Sequence, residues 1–246
     1  MKEDQNKAQP AKKKAEPFVL KTKDKTIDLK QYDPDTPTIL REDINCDRLF
    51  IINSDGHTIH IAPGVHVTAE YTLLKDCKTL VIKGTQEPGR PWTRTRWKGG
   101  FRIAGSVEYM IFDTLDICHA EHGILASQHL NEEIYKYIEI TNCHFYDIEK
   151  EGIYIGKSDA ESDAPLNSML IIKGCFLTRC GWDGIQAGRF YHVKISDTEV
   201  TGVGTLGVKW QDKAITINPH CGRVDIANCT FSGPQQYLQS GKLFVN

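Results

Sequence analysis

No stretch of this 246-residue chain is apolar for long enough to cross a membrane. Thirty Lys and Arg stand against 32 Asp and Glu, a net charge of −2, so no global field recruits nucleic acid and none is expected as a partner. An apolar leader is missing too: Met1-Lys2-Glu3-Asp4-Gln5 runs straight into charge. Residues 1–16, rich in Lys, Ala and Pro, read as a flexible charged tether of the kind that follows a removed export signal. The expected location is therefore secreted or cell surface. Zinc-ligand spacing does not occur twice among the eight cysteines, and the apolar residues do not recur at a helical period.

A repeat does occur. Phe112, Ile140, Ile172, Ile195 and Ile226 head five copies of one pattern, spaced by 28, 32, 23 and 31 residues. Two residues earlier stand Met110, Ile138, Leu170, Val193 and Val224; five later stand Ile117, Phe145, Leu177, Val200 and Phe231. Period-two alternation around each anchor means strands. Asn142, Gly174, Asp197 and Asn228, residues that tolerate a left-handed backbone, bend every copy but the first. A third strand opens at Gly123-Ile124, Gly152-Ile153, Gly184-Ile185 and Ala214-Ile215. The terminal Leu243-Phe244-Val245-Asn246 matches Ile215-Thr216-Ile217-Asn218. Three short strands per turn, stacked turn on turn, predict an all-β fold: a right-handed parallel β-helix solenoid over residues 17–246, following the flexible N-terminal tether. Leu49–Asn53, Thr58–Ala62 and Thr79–Lys83 read as its opening strands, with Asp55-Gly56 and Pro63-Gly64 as turns. Cys143, Cys175 and Cys229 share one coil position with Leu115 and Thr198, which favours an interior stack of free thiols over a disulfide framework.

Equal positions in neighbouring coils lie about 4.8 Å apart, so the copies can be read as rows. Counting from the Gly, the row one residue before holds His122, Glu151 and Asp183; the row two before holds Glu121, Lys150 and Trp182. Tyr154, Gln186 and Thr216 face outward, and Lys157 and Arg189 are read onto the same face. Glu151 and Asp183 suit acid and base in glycoside hydrolysis, or cation ligation, or the ordinary polarity of a turn. In Gly89-Arg-Pro-Trp92-Thr-Arg-Thr-Arg-Trp97-Lys98, aromatics interleave with Arg, which suits stacking on sugar rings as well as it suits a flank-capping loop with Trp97 buried.

The runs Asp147–Gly156, Cys180–Arg189 and Ile215–Pro219 resemble the right-handed parallel β-helix repeat proteins of Bacteroidetes, which are usually exported and often grouped with polysaccharide lyases. The resemblance covers roughly residues 100–246. Glu151-Gly-Ile-Tyr-Ile-Gly-Lys157 and Gly184-Ile-Gln-Ala-Gly-Arg189 are similar in position to the Lys base and Arg acid of the chondroitin-B and alginate lyase family. That resemblance implies β-elimination on an acidic polysaccharide, with Lys157 and Arg189 catalytic; the outward Tyr154 and Gln186 and the aromatics Trp92, Trp97 and Trp182 are read from their own positions as substrate contacts. The resemblance also implies calcium (Ca2+). Lys150 and Gly152 fall at positions where that family has calcium-binding carboxylates, leaving Glu151 and Asp183, with Glu149, as the oxygen donors. The alternative is a non-catalytic β-helix: a glycan-binding adhesin or an assembly subunit. Because the sequence stops at Asn246 without an amphipathic cap, the expectation is either a truncated chain or a homo-oligomer or assembly partner over the C-terminal end.

Overall fold

The computed structural model describes residues 26–90, 94–126, 134–156, 167–207, 212–218, 220–232 and, for the backbone alone, 243–245. The tether, Trp92 and Lys157 lie outside the described residues. The described chain is nearly all strand, with one 3-10 turn at Leu29–Gln31, and no helix in it is long and apolar enough to cross a membrane. It is a right-handed parallel β-helix, the hand that parallel crossovers take.

One wall is a nine-stranded parallel sheet running through Thr38–Leu40, Asp55–Ile61, Thr79–Lys83, Tyr109–Asp113, Tyr137–Thr141, Met169–Lys173, His192–Ser196, Arg223–Ala227 and Leu243–Val245. Its register reproduces the repeat residue for residue: Phe112 pairs with Ile140, Ile140 with Ile172, Ile172 with Ile195, and Ile195 with Ile226. The column continues upstream through Ile82 and Ile59. Downstream it continues to Val245, so Leu243–Val245 repeats the anchor strand and not the third strand of a coil. A short apolar triplet alternates alike on every wall, which is why pattern alone misplaces it.

The bends need left-handed residues. Asn142, Gly174, Asp197 and Asn228 have φ of 53°, 62°, 52° and 53°, and Thr114, the copy that seemed unbent, has 58°. A second such column, unannounced by residue type, holds Gly99, His119, Asp147, Arg179 and Gly202 at 85°, 50°, 55°, 53° and 60°. Pro63-Gly64 is a turn as expected, whereas Asp55-Gly56 opens a strand at a register shift, with Gly56 at φ 88°.

Inside, Ile, Leu, Val and Phe columns form one continuous core. All eight cysteines are free. Cys143 and Cys175 are fully buried or nearly so and send their thiols to the carbonyls of Phe112 and Ile140, at 3.6 and 3.4 Å. Burial pushes the Cys175 and Cys180 thiols up to about 12, which keeps them inert. We expect thiol titration of the unreduced protein to find these thiols unreactive when native and all eight reactive in denaturant. Ile172→Ala should cost roughly 2–5 kcal/mol by opening a cavity, and Ile172→Asp should abolish the folded state, both read by thermal unfolding.

Candidate active site in a corner cleft

The two strands that share the second wall change length partway along the solenoid. Trp97 pairs with Ile117 and Phe101 with Ile124, so four residue steps in one coil face seven in the next. In the earlier coils Val67–Lys75 and Arg96–Ala104 round the corner as single long strands. From Asp116 onward the chain divides it into two strands, and the extra residues, Glu121-His122-Gly123, swing outward. The packing at this step tolerates no side chain: a Cβ on Gly100 would lie 1.7 Å from the His122 carbonyl oxygen. The overhang leaves a cleft of ≈ 290 Å³, lined by Glu70, Tyr71, Arg102, His119, Glu121, His122 and Glu149.

Charged groups meet there in two layers. The inner layer is the row predicted from the Gly positions. His122 Nδ1 stands 2.8 Å from Glu151 Oε2, and both atoms are shut off from solvent. Asp183, one coil further, is 2% exposed and accepts from the Lys213 backbone N–H at 2.9 Å and from the Thr216 hydroxyl at 2.6 Å. Burial pushes the Asp183 carboxyl up, and the neighbouring Glu151 charge adds to this. In the outer layer, Glu121 takes Arg102 at 2.5 Å on one oxygen and Lys150 at 2.6 Å on the other. The hydrogen bond from Lys150 holds the Glu121 carboxyl below the usual range, with Arg102 and His122 assisting. His122 Nε2 lies 3.9 Å from Glu121, so the imidazole joins the layers: one nitrogen on a buried carboxylate, the other beside the cleft.

The residues singled out in the sequence fare differently. Tyr154 and Gln186 face outward, half-buried, in register with Leu125 and Thr216. The same column includes Arg102, paired to Leu125. Trp182 is half-buried with the Lys150 ammonium 5.0 Å from its ring. Arg189 does not share the outer face; it is 8% exposed. Alternation stops with the strand at Ala187, and a left-handed backbone at Arg189, φ 58°, turns the side chain away. Trp97 is no sugar platform either. It is fully buried, its indole N–H donates to Thr72 at 2.9 Å, and its ring sits 4.5 Å from Phe101. Arg96-Trp97-Lys98 is strand, not loop. Calcium finds no ready cage at Glu151 and Asp183: Asp183 already accepts from the Lys213 amide and the Thr216 hydroxyl, Glu151 lies against His122, and no group of three or more ligand residues converges among the described residues.

Sequence reasoning missed Arg102 and Tyr71. Their coils have the short corner and lack the Gly-Ile signal, so only the paired register reveals that they line up. A wider groove of ≈ 460 Å³ lies on the outer face of the nine-stranded sheet, between Lys83, Asp113, Glu139 and Lys173. It brings no imidazole to its lining, whereas the smaller cleft has His119 and His122, so the smaller cleft is the better candidate for chemistry. No protein-family model, curated protein or solved structure matches this chain.

The raised Asp183 carboxyl fixes a pH dependence. The folded state binds this proton more tightly than the unfolded chain, so its contribution to stability falls as pH climbs above about 4, the ordinary carboxylate value, and levels off above the raised one. Asp183→Asn carries no such proton. The melting temperature of Asp183→Asn relative to the native protein should therefore rise between pH 3 and pH 7 (about 3 to about 7); a difference that shrinks over this range contradicts the assignment.

Proposed function

We propose that the protein is a carbohydrate-active β-helix, secreted or at the cell surface, that acts on an acidic polysaccharide by β-elimination in the corner cleft. The observation that carries this reading is the His122 imidazole, backed at 2.8 Å by the buried Glu151 carboxylate and opening on its other side toward the cleft. Eliminating across a uronate needs a base for the proton α to the carboxylate and positive charge to hold the carboxylate as the enolate develops. His122 is the base, and Glu151 orients it and stabilises the imidazolium that forms. Arg102 and Lys150 supply the charge. Tyr71 lines the same cleft, and its hydroxyl is the group available to return a proton to the leaving oxygen.

Glycan binding without turnover is the second reading. One observation favours it: the His122 side chain is only 11% exposed, which leaves little room for a sugar carbon to reach it.

Incubation with a panel of uronate polymers, followed by the absorbance of the unsaturated product, separates the two. Turnover that drops about 10²–10⁴-fold in His122→Ala, with Glu151→Gln also impaired and both variants folded, is the expected result. Lys157, the base implied by the lyase resemblance, is compared in parallel as Lys157→Ala. Loss of turnover there with His122→Ala unaffected would move the base to Lys157, and binding without product from any polymer would leave the binder.

A further inference from the structure

Glu121 sits where a ligand carboxylate belongs. Its two oxygens each take one cation, Arg102 at 2.5 Å and Lys150 at 2.6 Å, from the coils on either side of its own. Each cation also has a second contact besides Glu121. The Arg102 guanidinium lies 4.4 Å from the Tyr71 ring centroid, and the Lys150 ammonium 5.0 Å from that of Trp182. A cation against an aromatic face is attracted to it without a counter-ion. The pair would therefore remain a two-pronged anion receptor with Glu121 gone. Glu121 itself is 40% exposed, and ion pairs at that exposure hold only weakly. Its carboxylate is 3.9 Å from His122 Nε2, so whatever replaces it is delivered beside the imidazole.

We propose that Arg102 and Lys150 form a carboxylate subsite for the uronate of a glycan, and that Glu121 fills this subsite in the free protein and yields it to the ligand. The proposal rests on the reading of the cleft as a uronate site. A ligand carboxylate binds by displacing Glu121, so removing that internal competitor tightens binding of acidic ligands alone.

The test is calorimetric titration of the full chain, its Glu121→Gln and Glu121→Ala variants, and an Arg102→Ala/Lys150→Ala double variant. The probes are oligomers of galacturonate, mannuronate and glucuronate, a neutral maltooligosaccharide, and acetate. Glu121→Gln keeps the shape of the side chain and guards against misfolding of Glu121→Ala, and thermal unfolding checks each variant. The expected result is a gain of about tenfold in affinity for at least one uronate oligomer in both Glu121 variants, loss of that binding in the double variant, and no change toward the neutral oligomer. Uronate binding by the native protein that stays equal or weakens in the Glu121 variants overturns the displacement and leaves the cleft a uronate site. Acetate gaining and binding as well as the uronate oligomers, at equal carboxylate concentration, overturns the assignment to a glycan. No uronate binding by any form overturns both this proposal and the function it rests on.

Discussion

Parallel backbone pairing between coils, held in register over the whole solenoid, is the constraint from which the rest follows. It sets neighbouring copies of one position about 4.8 Å apart. On the inside, like stacks on like: Phe112, Ile140, Ile172, Ile195 and Ile226 make a single apolar column, and nothing polar intrudes on it. On the outside, the same rule turns three unrelated positions in sequence into contacts. His122 and Glu151 are 29 residues apart yet 2.8 Å apart in space, because Ile124 pairs with Ile153. Arg102, Glu121 and Lys150 meet for the same reason. Glu121, His122, Lys150 and Glu151 sit on short turns between the strands, and these turns are themselves hydrogen-bonded from coil to coil, Lys150 N–H to the Glu121 carbonyl and Gly123 N–H to the Glu151 carbonyl, so the site is as rigid as the ladder that flanks it.

The change of corner length is the second ingredient. A uniform solenoid presents a smooth flank. Here the short corners of the early coils stop beneath the longer ones that begin at Asp116, and the step between them is the cleft. Glycine makes the step possible, since Gly100, Gly123, Gly152 and Gly184 would each drive a Cβ into a neighbour at under 3 Å. The same step buries two carboxylates. Removing Glu151 and Asp183 from water is costly; Asp183 is compensated by Thr216 and the Lys213 amide, whereas Glu151 has the His122 ring 2.8 Å away without a formed hydrogen bond between the facing atoms.

Much of this was legible in the sequence, and what was not has identifiable physical reasons. Five aligned copies sufficed to place every strand from Tyr109 to Ala227 on its wall, and counting from the Gly-Ile pairs sufficed to find the His122–Glu151–Asp183 row. Alternation is informative only while the strand lasts, so it failed at Arg189, two residues past the end of Ile185–Ala187. Arginine next to an aromatic reads alike in a loop and in a half-buried strand, which is why a sugar platform and a buried Trp97 fitted the sequence equally, while the ring packs against Phe101. The left-handed column through Gly99, His119, Asp147, Arg179 and Gly202 was missed because His119 and Arg179 are not residue types that mark such a bend and break up the Gly and Asp that do. Arg102 was invisible for want of a repeat to count from.

The central claim is that an acidic glycan is held in the corner cleft and not on the broader nine-stranded face. Backbone amide spectra recorded while a uronate oligomer is titrated in test this directly. The account predicts that the resonances moving most belong to Tyr71, Arg102, Glu121, His122 and Lys150, with those of Lys83, Asp113 and Lys173 unmoved; shifts centred on the latter three, or none on the former, would contradict it.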